Sequence, residues 1–134
     1  MTRERVVLLV EDDTDLRRFF QLVLRQHHFH VEAAEDGLEA LYIIEAIRPD
    51  VVVLDLTLPR VKGTDVLAEL ESKAETKDIP VVIVTGSTEQ PTNANVHCLL
   101  RKPVTADKLL ATIEACINNP TSRVRARRAR RRRV

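Results

Sequence analysis

The chain has 134 residues, of which 44% are hydrophobic, and this is enough for one domain with a packed core. Its apolar runs are far shorter than the roughly 18 residues of a membrane span, and none is a signal peptide. With no Trp and one Tyr, the chain lacks the aromatic platforms of proteins that bind single-stranded nucleic acid. Cys98 and Cys116 lack metal-ligand spacing and follow no export signal, so we expect two reduced core cysteines in a cytoplasmic protein.

The net charge of +1 conceals a strong asymmetry between the two ends of the chain. The last twelve residues contain eight arginines and no acid, whereas the first 122 hold 13 basic and 20 acidic residues. We therefore expect a folded domain over residues 1–119 and a disordered, arginine-rich tail over residues 120–134, because the tail repels itself and has little to bury. The tail could contact nucleic-acid phosphates, an anionic membrane or the acidic domain itself. Its arginines are Arg123, Arg125, Arg127, Arg128, Arg130, Arg131, Arg132 and Arg133.

Strand and helix patterns alternate in the first half of the chain. A strand over Val6–Val10 precedes a helix that begins at Asp13-Thr14, and a second strand over residues 29–34 precedes a helix that Asp36-Gly37 opens. This second helix must end before Pro49. The first helix carries apolar residues at helical spacing at Leu16, Phe19, Phe20, Val23 and Leu24. The second has a predicted inward stripe of Ala40, Leu41, Ile44 and Ile47.

The same alternation continues in the second half. The β-branched run Val51–Leu54 predicts a strand buried on both faces, and a helix beginning at Gly63-Thr64 follows it. Further strands are predicted over Val81–Thr85 and residues 96–100, and Thr105 caps a last helix. Between these strands, residues 87–95 contain a proline and two asparagines, so we expect a short or irregular fourth helix there.

Strands that alternate with amphipathic helices indicate an α/β fold with a parallel sheet and right-handed crossovers. Five strands and five helices fit a doubly wound sheet of order 2-1-3-4-5. In such sheets ligands bind at the carboxyl ends of the strands, near the point where the strand order reverses. Here that point lies between the first and third strands.

Polar residues follow four of the predicted strands where each strand ends: Glu11 and Asp12, Asp55, Thr85, and Lys102. Two like charges about 4 Å apart repel by about 4 kcal/mol at an effective dielectric near 20, so clustered carboxylates favour a bound cation. Carboxylate oxygens suit Mg²⁺ and phosphate chemistry. Asp55 would then be a nucleophile toward a donor phosphate, with Lys102 and Thr85 binding the transferred group.

Several motifs in this order resemble the receiver domain of two-component response regulators: VLLVEDD, AEDGLEAL, PDVVVLDLTLP, IPVVIVTGS and LLRKPV. The resemblance covers about residues 5–118. It implies a flavodoxin-like, receiver-like fold with a phosphoacceptor aspartate. It also implies a cognate histidine kinase or histidine phosphotransfer protein as partner, together with a downstream protein that the sequence does not identify.

The resemblance also implies a role for each matching residue. Asp55 is the phosphoacceptor, and Mg²⁺ (or Mn²⁺) is bound by Glu11, Asp12, Asp55 and the backbone carbonyl of Thr57. Asp12 is the expected direct ligand and Glu11 acts through water. Thr85 is the switch hydroxyl and Lys102 pairs with the phosphorylated site. We interpret Asp13 as a helix N-cap and not as a ligand.

We therefore expect a single-domain response regulator that signals by protein contact in a phosphorelay. It would not be an enzyme beyond self-catalysed phosphotransfer and autodephosphorylation. Two departures from the family pattern affect its usual output surface. Leu99 occupies a position where family members often carry an aromatic residue, and the segment between Thr85 and Lys102 is short.

Two alternatives remain open at this point. A haloacid-dehalogenase-like phosphatase also uses a strand-end aspartate with Thr, Lys and Mg²⁺. It usually has a second aspartate two positions after the nucleophile, where this chain has Thr57. The other alternative is a phosphorylation-independent binding module that acts through the basic tail.

Overall fold

The computed structural model of the protein describes residues 3–86 and 98–118. Its strands are β1 (Val6–Val10), β2 (His30–Ala34), β3 (Val51–Leu54), β4 (Val81–Thr85) and β5 (Cys98–Arg101). Its helices are α1 (Thr14–Gln26), α2 (Gly37–Ile47), α3 (Gly63–Ser72) and α4 (Ala106–Asn118). The predicted helix in residues 87–95 and the predicted tail, residues 120–134, lie outside the described residues. No helix in the described part of the chain is long and apolar enough to cross a membrane.

The five strands form one parallel sheet in the order β2-β1-β3-β4-β5, which confirms the predicted doubly wound α/β fold. β1 pairs with β2 on one side and with β3 on the other, and the strand order reverses between β1 and β3. In the register of the β1–β3 pair, Val10 lies opposite Leu54. Glu11 and Asp12 follow β1, and Asp55 follows β3. These acidic residues therefore lie side by side at the same edge of the sheet.

Two apolar clusters fill the space between the sheet and the helices on its two faces. Alternate residues of β3 point to opposite faces, so Val51 and Val53 join one cluster while Val52 and Leu54 join the other. α1 and α4 cover the first face, and α2 and α3 cover the second. All four β3 residues are buried, as predicted. A charge inside this strand would be costly to desolvate, so the carboxylate of Asp55 is placed just beyond its end.

Three helices begin at side chains that accept a hydrogen bond from the first helical turn. Asp13 accepts from the Leu16 amide at 2.9 Å, which confirms Asp13 as the N-cap of α1. Asp36 accepts from the Glu39 amide at 2.9 Å at the start of α2. The Thr105 hydroxyl accepts from the Lys108 amide at 3.2 Å at the start of α4.

Two predicted core residues are more exposed than expected. Phe19 is 49% exposed, because the buried face of α1 is centred on Phe20 and Leu24, and Phe19 lies at its edge with its ring 5.9 Å from that of Phe20. Ile47 is 41% exposed at the end of α2, where Arg48 turns the chain into a left-handed conformation. Helical spacing alone therefore overestimates the width of both buried stripes.

Gly63, at the start of α3, allows the helix to approach the loop that follows β3. A Cβ atom at Gly63 would collide with the backbone carbonyl of Asp55. The Gly63 amide instead donates to the carbonyl of Leu56 at 3.1 Å. Any larger residue would therefore push α3 away from the segment that carries Asp55.

Candidate functional site at the carboxyl ends of the strands

Three carboxylates meet where β1 and β3 end. Glu11, Asp12 and Asp55 each contribute an oxygen atom, and these atoms all lie within 4.8 Å of one another. Glu11 and Asp55 are each 3% exposed, whereas Asp12 is exposed. Within residues 3–86 and 98–118, no other group of three or more acidic, His or Cys side chains is arranged to hold a metal ion. The donor set consists entirely of carboxylates, which suits a hard divalent cation such as Mg²⁺ or Mn²⁺.

Lys102 reaches this cluster from the end of β5. Its Nζ atom donates to Glu11 Oε1 at 2.7 Å and to Asp55 Oδ2 at 2.9 Å. The lysine is about a quarter exposed, whereas both of its carboxylate partners are almost fully buried. One ammonium group therefore offsets part of the repulsion between two acids.

The pKa values of Glu11 and Lys102 shift in ways that follow from this geometry. Burial raises the pKa of the Glu11 carboxyl, although Lys102 and the amide of Asp13 act in the opposite direction. Burial by itself would lower the pKa of Lys102, but its hydrogen bonds to Glu11 and Asp55 outweigh that effect and raise it. Burial thus disfavours the ionised form of Glu11, whereas the hydrogen bonds to Glu11 and Asp55 favour the charged form of Lys102.

The second carboxylate oxygen of Asp55 is bound by Thr57. The Thr57 amide donates to Asp55 Oδ1 at 3.0 Å, and the Thr57 hydroxyl donates to the same atom at 3.1 Å. The sequence pointed to the backbone carbonyl of Thr57 as a metal ligand and did not anticipate these two contacts. They fix the orientation of the Asp55 carboxylate, because Lys102 binds its other oxygen.

Thr85 is the last residue of β4 and is fully buried. Its backbone carbonyl accepts a hydrogen bond from the Lys102 amide at 3.0 Å, so the two predicted phosphoryl-binding residues are adjacent at the ends of neighbouring strands. Leu99 is half-buried and packs against the core cluster on the α2–α3 face.

Arg17 is a residue of this site that the sequence reasoning missed. Its guanidinium donates to the backbone carbonyl of Glu11 at 3.0 Å and to that of Asp12 at 3.4 Å, and it forms an ion pair with Glu35 at 3.4 Å. Arg17 is 8% exposed and occupies the buried face of α1, three residues before Phe20. The sequence did contain a signal for Arg17, because it is a charged residue on the otherwise apolar face of α1.

Comparison with known proteins identifies the family. A family model described as the response regulator receiver domain matches residues 7–114. Response regulator MprA of Mycolicibacterium vanbaalenii is 33% identical over 120 residues, which cover 86% of this chain and 51% of that protein. MprA of Mycobacterium sp. strain KMS is 34% identical over 116 residues, covering 83% of this chain and 50% of that protein. The chain spans about half the length of these curated relatives.

Solved structures agree with this result. The chemotaxis response regulator CheY4 of Vibrio cholerae has a TM-score of 0.76 and 26% identity, covering 84% of this chain and 98% of that one. The Mn²⁺-bound form of response regulator Rcp1 has a TM-score of 0.72 and 28% identity, covering 88% and 96%. The family match spans all of the residues from Glu11 to Lys102 that form the site, and the chain belongs to the response regulator receiver domain family.

Proposed function

We propose that Asp55 accepts a phosphoryl group from the phosphohistidine of a histidine kinase or a histidine phosphotransfer protein, and that the chain passes the signal on by protein contact. The observation that carries this proposal is the position of Lys102, 2.9 Å from Asp55 and 2.7 Å from Glu11 within a cluster of three carboxylates. Receiver domains are signalling phosphoacceptors and not typical enzymes. We therefore expect no turnover beyond self-catalysed phosphotransfer and autodephosphorylation.

Receiver domains bind a divalent metal at an acidic pocket, and we assign Mg²⁺ (or Mn²⁺) to this one. Glu11, Asp12 and Asp55 would hold the ion together with the backbone carbonyl of Thr57. The proximity of the three carboxylates supports this assignment, and so does the Mn²⁺-bound state of the similar Rcp1 structure. When bound, the ion neutralises the carboxylates and stabilises negative charge on the phosphoryl oxygens.

In the proposed transfer, an oxygen of the Asp55 carboxylate forms a bond to phosphorus as the bond between phosphorus and the donor imidazole nitrogen breaks. The imidazole leaves with the bonding electron pair, and the product is an acyl phosphate. Thr57 and Lys102 orient the carboxylate from its two sides.

The phosphoryl group would change how the charges around Asp55 are paired. It carries about 1.5 to 2 negative charges at neutral pH, in place of the single charge of the Asp55 carboxylate, and so competes with Glu11 for the ammonium group of Lys102. The hydroxyl of Thr85, buried at the end of β4, would supply a second donor. Movement of these two residues toward the phosphoryl group would alter β4, β5 and the segments attached to them.

Partner contact is supported by apolar side chains on α1, the helix that follows the acidic loop. Phe19 is 49% exposed and Leu22 is 58% exposed, and because they are three positions apart on α1 they form one apolar surface on this helix. We propose that a histidine-containing partner in the cytoplasm uses this surface. The arginine-rich segment, residues 120–134, would add nonspecific contact with nucleic acid or another anionic surface.

Phosphorylation by a small donor tests the proposal directly. The full chain is incubated with phosphoramidate, which carries a phosphorus–nitrogen bond, in the presence of Mg²⁺, and the covalent phosphoryl group is detected by intact mass. We expect labelling of the wild-type chain, none of Asp55→Asn, and normal labelling of Asp65→Asn, which changes an exposed aspartate on α3. Equal labelling of Asp55→Asn and the wild-type chain would refute the assignment.

A further inference from the structure

The two cysteines of the chain lie against each other, away from the phosphoacceptor site. Cys98 is the first residue of β5, and Cys116 lies near the end of α4. Both are free thiols, and their sulfur atoms are 2.8 Å apart. Cys116 belongs to the core cluster under α4, and Cys98 packs against the same cluster. Their separation of 18 residues gave no indication of this contact.

A disulfide has an S–S length of 2.03–2.05 Å, so the two sulfur atoms need to approach by less than about 1 Å to bond. Both lie between a strand and the helix that covers it, which the core already holds in place. We propose that Cys98 and Cys116 form a reversible dithiol–disulfide pair that low-molecular-weight disulfides such as glutathione disulfide oxidise. This inference does not rest on the phosphoacceptor assignment.

The two thiols differ in a way that predicts the order of the reaction. Cys98 is half-buried, whereas Cys116 is only 4% exposed. Burial, together with the contact with Cys98, raises the pKa of the Cys116 thiol to about 12, so Cys116 carries little thiolate at neutral pH. Cys98 is therefore the thiol that meets the external disulfide first.

The exchange proceeds in two balanced steps. The Cys98 thiolate attacks one glutathione sulfur, forming a mixed disulfide and releasing one glutathione thiolate. Cys116 gives up its proton to the released thiolate, and its sulfur attacks Cys98 Sγ and expels the second glutathione thiolate, which takes a proton from solvent. In total, the two cysteines lose two electrons and two protons, and one glutathione disulfide is reduced to two glutathione molecules.

The bond would join β5 to α4 and close a loop that contains Lys102. A cross-link of this kind reduces the freedom of the unfolded chain, and we expect it to raise the melting temperature by several degrees. It would also restrain the strand from which Lys102 reaches the acidic cluster. A thiol reductant such as dithiothreitol should reverse both effects.

The full-length chain, incubated with excess glutathione disulfide and then denatured, should lose both free thiols. Its intact mass should fall by two hydrogen atoms, and a peptide map should contain one linked peptide pair that carries Cys98 and Cys116. The linked protein should melt at a higher temperature than the reduced protein. A wild-type chain that keeps both thiols, retains glutathione on Cys98 or joins to a second chain would overturn the proposal, as would a cross-link that leaves the melting temperature unchanged.

Single-cysteine variants test the order of attack. Cys116→Ser should accumulate a glutathione adduct at Cys98, because no second thiol resolves it. Cys98→Ser should keep its buried Cys116 thiol under the same conditions. Faster modification of Cys98→Ser than of Cys116→Ser would contradict the assignment of Cys98 as the attacking thiol. The wild-type peptide map decides the proposal if either variant folds poorly.

Discussion

The Lys102 ammonium group lies 2.7 Å from Glu11 Oε1, although the two residues are 91 positions apart in the chain. The contact spans the sheet from the end of β5 to the end of β1, with β3 and β4 between them. The long lysine side chain crosses above Asp55, which it also contacts at 2.9 Å. A single cation thus links Glu11, one of the acids that would hold a metal ion, to Asp55, the carboxylate that would accept a phosphoryl group.

The first prediction concerns the stability that Lys102 provides. Lys102→Ala leaves the buried carboxylates of Glu11 and Asp55 without their cationic partner, and we expect a loss of about 1–3 kcal/mol of unfolding free energy. The measurement is denaturant unfolding in EDTA, so that no divalent ion substitutes for the lysine. Lys108→Ala, which removes an exposed lysine on α4, is the matched control and should cost less than about 0.5 kcal/mol. Equal losses in the two variants would contradict the proposed pairing.

The second prediction follows from the raised pKa of Glu11, whose largest cause is burial. The folded protein holds this proton more tightly than the unfolded chain, so the corresponding stability is present below the ordinary value of 4.5 and is lost as the pH rises through the folded pKa. Between about pH 4.5 and neutral pH in EDTA, the wild-type unfolding free energy should therefore fall relative to that of Glu11→Gln. A difference that stays constant or grows in favour of the wild-type chain would show that burial does not control this carboxyl.

The third prediction distinguishes two adjacent aspartates. Mg²⁺ should raise the unfolding free energy of the wild-type chain by about 2.7 kcal/mol at an ion concentration about 100 times the Kd. Asp12→Asn should lose most of this stabilisation. Asp13→Asn should keep it, because Asn serves as an N-cap as well as Asp does. Thermal unfolding with and without Mg²⁺ measures both effects, and the opposite order would make Asp13 a ligand.

The fourth prediction concerns Arg17, which holds the backbone of the acidic loop from α1. Arg17→Ala leaves the buried carbonyl of Glu11 without its donor, and we expect a loss of about 1–3 kcal/mol of unfolding free energy. The Mg²⁺ affinity should also fall, since the backbone that carries Glu11 and Asp12 is no longer fixed. Arg18→Ala changes the exposed neighbouring residue and should leave both quantities nearly unchanged. An unaltered Mg²⁺ affinity in Arg17→Ala would mean that Arg17 acts on stability alone.

The fifth prediction concerns the arginine-rich segment. If its eight arginines bind nucleic-acid phosphates, the logarithm of the affinity for duplex DNA should fall linearly with the logarithm of salt concentration, with a slope of up to about −7. Deletion of residues 123–134 should abolish the binding. Fluorescence anisotropy with DNA duplexes of unrelated sequence would measure the salt dependence and the effect of the deletion. Binding that survives the deletion would show that the folded domain, and not the arginine-rich segment, contacts DNA.

Much of the fold was predictable because its signals are local. The run Val51–Leu54 is β-branched and uninterrupted, and this is the pattern of a strand covered on both faces. Asp13 and Thr105 were recognisable as helix caps from their own side chains and the residues that follow them. The predicted widths of the buried helix faces were less accurate, because the exposure of Phe19 and Ile47 depends on where the helices meet the sheet.

The sequence by itself determined which residues stand at the ends of the strands, and a parallel sheet brings all such ends to one edge. That was enough to group Glu11, Asp12, Asp55, Thr85 and Lys102. Only the tertiary structure decided which atoms touch: Lys102 bridging two carboxylates, Arg17 on the backbone of the acidic loop, and the sulfur of Cys98 against that of Cys116. Local sequence patterns set where each strand and helix begins and ends, and therefore which residues lie at the strand ends. Contacts within a few ångströms depend instead on how the helices pack against the sheet and on which side chains can then reach each other.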